Sequence, residues 1–265
     1  MAVITLISDM GSSDHYVAAV KGTLLAQLKT VNIVDISHDI QAFNILQAAF
    51  LLKNSYHHFP PGTIHIIGVV PEADEQTNHL AISYQGHYFI GADNGIFSLI
   101  FNDEPDHIVV LPPVSKNSSL TFPTKDVFAP AAIFIAKGGK LEKLGAGVMD
   151  YRQSLDLLPA ITSNVLKGNV IHIDHYGNII TNISRSLFEE QRQERKFTIV
   201  FGKSNYQVSE ISMQYNDVGS AKAVALFNAD GYLEIAINKG ATGHGGGAAS
   251  LLGIKIHDVI RIEFD

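Results

Sequence analysis

Over the first seventy residues, β-rich runs alternate with segments of helical periodicity. Ala2 to Ser8 is rich in Val and Ile with little alternation, the pattern of a strand buried on both faces. It ends in the polar turn Asp9 to Asp14, where Ser13 or Asp14 is the candidate N-cap of a helix. His15 to Leu28 repeats apolar residues at helical spacing, Val31 to Ser37 reads as a second strand, and Asn44 to Leu52 as a second helix. Pro60-Pro61-Gly62 closes that unit and Ile64 to Val70 reads as a third strand. This βαβαβ order predicts a mostly parallel sheet with right-handed crossovers.

The pattern then changes. His79 to Tyr84 and His87 to Ala92 read as two strands about the turn Gln85-Gly86, followed by a β segment at His107 to Leu111. Val127 to Lys137 has helical spacing, with Pro130 in its first turn and Gly138-Gly139 as a stop. From about Asn164 helical patterning is scarce. Val170 to Ile173, Ile179 to Ile183, Phe197 to Phe201, Tyr206 to Val208, Ala223 to Phe227, Leu233 to Ile237 and Val259 to Phe264 read as strands. Tyr-Gly-Asn, Gly-Lys-Ser-Asn and Asp-Gly turns separate them. The expectation is an α/β N-terminal domain over 1–158 and a C-terminal all-β domain over 165–265, either a barrel or a sandwich.

Composition narrows the chemistry. The 265 residues are 46% hydrophobic, carry a net charge of −7 and contain no Lys/Arg run, so a small molecule or protein is the expected partner rather than nucleic acid. With no cysteine, disulfides, thiolate metal ligands and a thiol nucleophile are excluded. The opening residues lack the basic flank of a signal peptide, and no apolar run approaches the roughly 18 residues of a membrane helix. A soluble cytoplasmic protein is the expectation. The twelve histidines show no zinc-helix spacing, His57-His58 reads as a solvated helix end, and no Gly-x-Ser-x-Gly elbow is present. Gly243-His244-Gly245-Gly246-Gly247 lacks the strand-then-helix context of a phosphate loop and reads as a mobile loop within Gly240 to Gly247.

Asp9 sits at the carboxyl end of the first expected strand, where ligands bind in open parallel sheets. A carboxylate there suits a ribose diol, or else it caps the following helix. Asp35 and His38 end the second strand, while Asp93-Asn94-Gly95 is above all a turn signal. Thr121 to Asp126 precedes a helix, and Phe122 either stacks on a base or plugs the core. These residues alone describe a polar crevice and name no reaction.

The order of short segments is more specific. Ile-Ser-Asp-Met-Gly-Ser-Ser-Asp from Ile7, Ile33 to His38 with Phe43-Asn44, Gly91 to Gly95, Thr121-Phe122 with Asp126 to Pro130, Asp174 to Asn178 with Thr181-Asn182, and Asp230 to Asn238 follow one another along the chain. That series resembles the family of S-adenosyl-L-methionine (SAM) hydroxide adenosyltransferases and SAM-dependent fluorinases and chlorinases. The resemblance implies an α/β N-terminal domain, a C-terminal β-barrel and a homotrimer, with SAM as substrate or ligand, no other cofactor and no metal, and a nucleoside site between the N-terminal domain of one subunit and the C-terminal domain of the next. It matches Asp9 to the ribose hydroxyls, Asn178 to the adenine edge and Asp174 to the methionine ammonium. Phe43, Phe122, Tyr176 and Tyr215 match the aromatic neighbours, with Asn44 and Thr124 beside them.

The hydrolytic triad of that family departs. Val70, Thr77 and Pro123 stand where its aspartate, arginine and histidine belong, which leaves Glu72, Asp74, His79 or Lys125 as candidate replacements. Thr124 falls where the halogenases place a hydroxyl, but the acidic loop Glu72, Asp74, Glu75 would repel a halide. The resemblance therefore implies a divergent SAM hydrolase, or alternatively a catalytically weak or inactive SAM/adenosine-binding protein.

Overall fold

The computed structural model describes residues 1–74, 76–112, 121–154, 158–202, 206–241 and 245–265. The chain divides into two compact units, Met1–Leu155 and Asp156–Asp265. Glu75 of the acidic loop, 203–205 of one expected turn and 242–244 of the glycine run lie outside the described residues.

The first unit opens β1 (Ala2–Ser8), α1 (Tyr16–Gln27), β2 (Val31–Ser37), α2 (Ile45–Lys53), β3 (Ile64–Gly68). It continues β4 (His79–Tyr84), β5 (His87–Ala92), α3 (Ile96–Ile100), β6 (His107–Val110), α4 (Ala129–Ala136) and β7 (Ala146–Val148). The strands form one sheet in the order β2-β1-β3-β5-β4-β6-β7, with β2, β1, β3 and β5 parallel and β4 antiparallel to β5. From β1 the chain crosses to β2 on one side, then returns through α2 to β3 on the other. The order therefore reverses between β1 and β3, the place where an open sheet leaves a crevice at its carboxyl ends. Ser8 and Gly68, the last residues of those strands, are register partners there.

Burial explains the elements. The apolar runs of β1 and β3 are covered on both faces, with Val20 and Leu24 of α1 and the Phe128–Ile133 stretch in one core layer. Ala48, Ala49 and Leu52 of α2 pack with Phe89, Phe97 and Phe101 in the other. Three expectations are corrected. Neither Ser13 nor Asp14 caps α1: its N-cap is His15, without a side-chain hydrogen bond. The third strand stops at Gly68, and Val70 turns away at φ 46°. The helix expected from Val127 begins earlier, as a wide π turn over Thr124–Phe128 that runs into α4 with Pro130 in its first turn. His57 and His58 are exposed in a short 3-10 turn, as expected.

Beneath that turn lies a buried chain in which Thr5 Oγ1 meets His65 Nδ1 at 2.7 Å and His65 Nε2 meets His87 Nδ1 at 3.2 Å. Burial, helped by the neighbouring His87, lowers the His65 pKa to about 3. An unfolded chain therefore binds a proton that the folded one refuses between about pH 6.5 and 3, so stability must fall as pH drops through that window. Urea denaturation of the wild type at pH 7 and pH 5 is expected to show a loss whose slope approaches about 1.4 kcal/mol per pH unit for this one group. A His65→Gln variant with an unchanged acid dependence would refute that assignment.

The second unit is antiparallel. It comprises β8 (Ala160–Ile161), β9 (Val165–Ile173), β10 (Ile179–Ser184), α5 (Arg185–Arg192), β11 (Phe197–Phe201), β12 (Tyr206–Val208), β13 (Ala223–Phe227), β14 (Tyr232–Ile237), α6 (Ala248–Leu252) and β15 (Val259–Phe264). The order β12-β11-β15-β9-β10-β14-β13, with β8 on β9, curls into a nearly closed barrel. Of the two forms the strand pattern allows, it is the barrel, as the resemblance implies. Inward residues such as Leu166, Ile179, Ile199, Leu233 and Ile262 fill it, and α5 adds Phe188 to that core. Two short helices, α5 and α6, which the scarce helical patterning did not locate, are set into this antiparallel domain.

Candidate functional site

Asp9 lies one residue beyond β1 at the switch point. It does not cap α1: its Oδ2 accepts the Phe43 N–H at 2.9 Å. The Gly11 N–H donates to the His38 carbonyl at 2.9 Å, so the loops after β1 and β2 are tied together at both ends. Phe43 holds φ 66° and is 75% exposed, leaving its ring uncovered beside Asp9. Asn44 caps α2 by accepting the Gln47 N–H at 3.0 Å. Phe122 is half-buried edge-on to Tyr16, 5.4 Å between ring centres.

Below Asp9 runs a chain of polar groups that sequence reading did not join. Ser8 Oγ meets His38 Nδ1 at 2.7 Å, His38 Nε2 lies 3.0 Å from Asp35 Oδ1, and Lys21 Nζ donates to Asp35 Oδ2. Partial burial pushes the Asp35 carboxyl up, but the hydrogen bond from Lys21 and the adjacent His38 imidazole outweigh it and hold it below the usual carboxylate range. Parallel pairing of β1 with β2 is what brings positions thirty residues apart into contact.

The triad positions carry no acid or base. Thr77 is buried, and its carbonyl accepts the Asp74 N–H. Val70 sits in the left-handed region, costly for a β-branched residue, with the Asn94 amide donating to the Val69 and Val70 carbonyls at 3.2 and 3.0 Å. Asn94 thus gives the Asp-Asn-Gly turn a second task beyond turning. Asparagine tolerates such a φ, so Val70→Asn is expected to raise stability by about 1 kcal/mol, read from chemical denaturation. No gain would mean that the neighbouring carbonyl clamp carries no strain.

Of the candidate replacements, His79, Lys125 and Asp74 are held locally. His79 is buried, with Nε2 on the Pro71 carbonyl at 2.8 Å and its ring against Phe128, and burial lowers its pKa. Lys125 pairs with Asp126. Glu72 and Asp74 are exposed, and Asp74 accepts the Gln76 N–H. Pro123 precedes the π turn and Thr124 begins it, 3% exposed.

In the second unit the loop between β9 and β10 folds on Asp174, whose Oδ1 accepts the Asn178 N–H at 2.8 Å and whose Oδ2 accepts Asn178 Nδ2 at 3.1 Å. Tyr176 projects from this loop, 60% exposed. The Tyr215 hydroxyl donates to Glu234 Oε1 at 2.8 Å. Burial raises the Glu234 carboxyl against the lowering effect of that bond, and the Asp174 charge adds to the rise. Burial likewise pushes the Tyr215 hydroxyl up, as does Glu234. Glu234 had a signal, a lone charge in the apolar run Leu233 to Ile237, that went unassigned. The structure thus gathers Asp174, Asn178 and Tyr215 about Glu234 in one unit, and Asp9, Phe43 and Asn44 in the other.

An α/β unit with a carboxylate at its switch point, followed in the same chain by a nearly closed antiparallel barrel, is the class of protein that fold and site define. The family models for the SAM hydroxide adenosyltransferase N-terminal domain and C-terminal domain match residues 4–145 and 168–261. The chain belongs to the SAM hydroxide adenosyltransferase family. It is 35% identical over 191 residues to the (R)-S-adenosyl-L-methionine hydrolase of Methanocaldococcus jannaschii, covering 69% of this chain and 67% of that protein. The (R)-S-adenosyl-L-methionine hydrolase of Thermus thermophilus is 28% identical over 99% of this chain and 100% of its own. Proteins named Fluorinase match at 23–25% identity. The crystal structure of an uncharacterized conserved protein from Thermotoga maritima superposes with a TM-score of 0.87 at 25% identity, over 98% of this chain and 99% of that one. Among the described residues no helix is long and apolar enough to cross a membrane.

Proposed function

We propose that the protein hydrolyses S-adenosyl-L-methionine to adenosine and L-methionine, with the (R) sulfonium epimer, named in its relatives, as substrate. The observation that carries this reading is Asp9, anchored through Oδ2 at the switch point. Its Oδ1 has no partner among the described residues and is left to accept from a ribose diol. Asn178 supports it: Asp174 takes its amide N–H, leaving Oδ1 to accept from the amino group of adenine. Phe43, Phe122, Tyr176 and Tyr215 would flank base and sugar, and Asp174 suits the ammonium of methionine. The sulfonium is a good leaving group, so the reaction needs no cofactor, only a positioned water. The functional unit is read as a homotrimer with each site completed by a neighbouring subunit; a monomeric mass by light scattering would remove that part.

The test is incubation of the purified protein with each SAM epimer, with and without halide, following adenosine and methionine by chromatography. Halide-independent adenosine release supports the hydrolase. Binding of adenosine without turnover would favour the second reading, a SAM/adenosine-binding protein, which the acid- and base-free triad positions Val70, Thr77 and Pro123 motivate.

A further inference from the structure

We propose that the water consumed in this reaction is held by Thr124 and Ser8 and deprotonated through Ser8 by His38, in place of the missing triad. The inference rests on the hydrolase reading. Thr124 is 3% exposed, and its Oγ1 has no hydrogen-bond partner among the described residues. A buried hydroxyl without a partner is destabilising, which needs a reason. It opens the π turn, an irregularity that recurs at functional sites.

The hydroxyl lies over the switch point. A Cβ at Gly68 would stand 2.9 Å from Thr124 Oγ1 and 3.0 Å from Met10 Cε, so only glycine leaves room for Thr124 at the end of β3. Ser8 is the register partner of Gly68 on β1. Ser8, Met10, His38 and Thr124 line one small cavity of about 10 Å³, otherwise walled by apolar side chains such as Val17 and Ile66. That is close to the least space that holds a single water. Among its lining residues, Ser8, His38 and Thr124 are the ones that carry a polar side chain, and Asp9 follows Ser8 directly in the chain.

The proton has a route. Asp35 Oδ1 lies 3.0 Å from His38 Nε2 without the alignment of a hydrogen bond, and its charge favours the tautomer with the proton on Nε2, which leaves Nδ1 to accept from Ser8. The water oxygen forms the bond to the sugar 5′ carbon as the carbon–sulfur bond breaks, its electron pair going to sulfur to give neutral methionine thioether. The water proton passes to Ser8 Oγ while the Ser8 proton passes to His38. The imidazolium is paired with Asp35, whose other oxygen is held by Lys21, and later releases its proton to solvent. Thr124 and Ser8 touch the reacting water; His38 and Asp35 act through Ser8.

Thr124→Val keeps the shape and removes the hydroxyl. It is expected to lower kcat for adenosine formation about tenfold or more, leave adenosine affinity within about twofold by calorimetry, and melt no lower than the wild type. A merely structural hydroxyl would show the reverse, lost stability with kept kcat. His38→Asn is expected to lower kcat/KM about 10²-fold and remove the acid limb of its pH profile, the charged groups facing that ring being Asp35 and, beyond it, Lys21. An active wild type with unchanged kcat in Thr124→Val, or an unchanged pH profile in His38→Asn, would overturn this assignment and leave the hydrolase reading standing. A wild type that releases no adenosine overturns both.

Discussion

Asp9→Ala is expected to lower kcat/KM for adenosine release by about 10²- to 10⁴-fold. A carboxylate that accepts two hydroxyl hydrogen bonds from a ribose makes two charge-assisted contacts worth about 1.5–3 kcal/mol each, and about 1.4 kcal/mol is a factor of ten. The same change removes the acceptor for the Phe43 N–H, at a residue whose φ of 66° needs support, so the loop after β2 loosens as well. Asp9→Asn separates the two effects. Its amide oxygen keeps an acceptor for Phe43 while the charge is lost, so melting temperature should return and activity only in part. Steady-state kinetics with thermal melts on both variants make the comparison. An alanine variant within about threefold of wild type would remove Asp9 from the site altogether.

Phe188→Ala is expected to destabilise the second unit by about 3–5 kcal/mol, the range for deleting a fully buried aromatic ring. The ring is 0% exposed and packs against Phe197, Phe227 and Phe264, with centroid distances of 5.0, 5.4 and 6.3 Å. Arg192 lies over the same ring and over Phe197, closing α5 against the barrel. Such a loss takes much of the total stability of a unit this size. In urea the transition of the second unit should move down by about 1 M or more while β-sheet signal from the first unit persists. A shift below about 0.3 M would mean that α5 is not held by this ring.

Much of the architecture was legible because periodicity is a local property. The strands at His79–Tyr84, His87–Ala92, Phe197–Phe201, Tyr206–Val208, Ala223–Phe227 and Val259–Phe264 were read with the bounds the structure gives them. The parallel sheet followed from the βαβαβ order, and an antiparallel β-domain, barrel or sandwich, from short strands with turn residues between them. The family was legible too, because a series of short motifs in order is a property of the chain alone.

What was missed shares one cause. Helix α5 has only Leu187 and Phe188 as apolar residues in its eight, too few to show a period, and it forms because the barrel supplies a socket for Phe188 and Ser184 caps its start through the Leu187 N–H. Ile64 to Val70 has the residue types of a strand throughout, yet the bend at Val70 is held by Asn94, twenty-four residues away. The Ser8, His38 and Asp35 chain exists only because β1 lies parallel to β2, and Gly68 is needed only because Thr124 and Met10 pack over it.

Sequence alone therefore determined the element types, the two-part organisation and the family, since each is written in local composition and order. Tertiary structure alone decided which polar groups meet, where the backbone is strained and which hydroxyls are left unpaired. Those depend on pairing register and packing between distant segments, which no local pattern encodes.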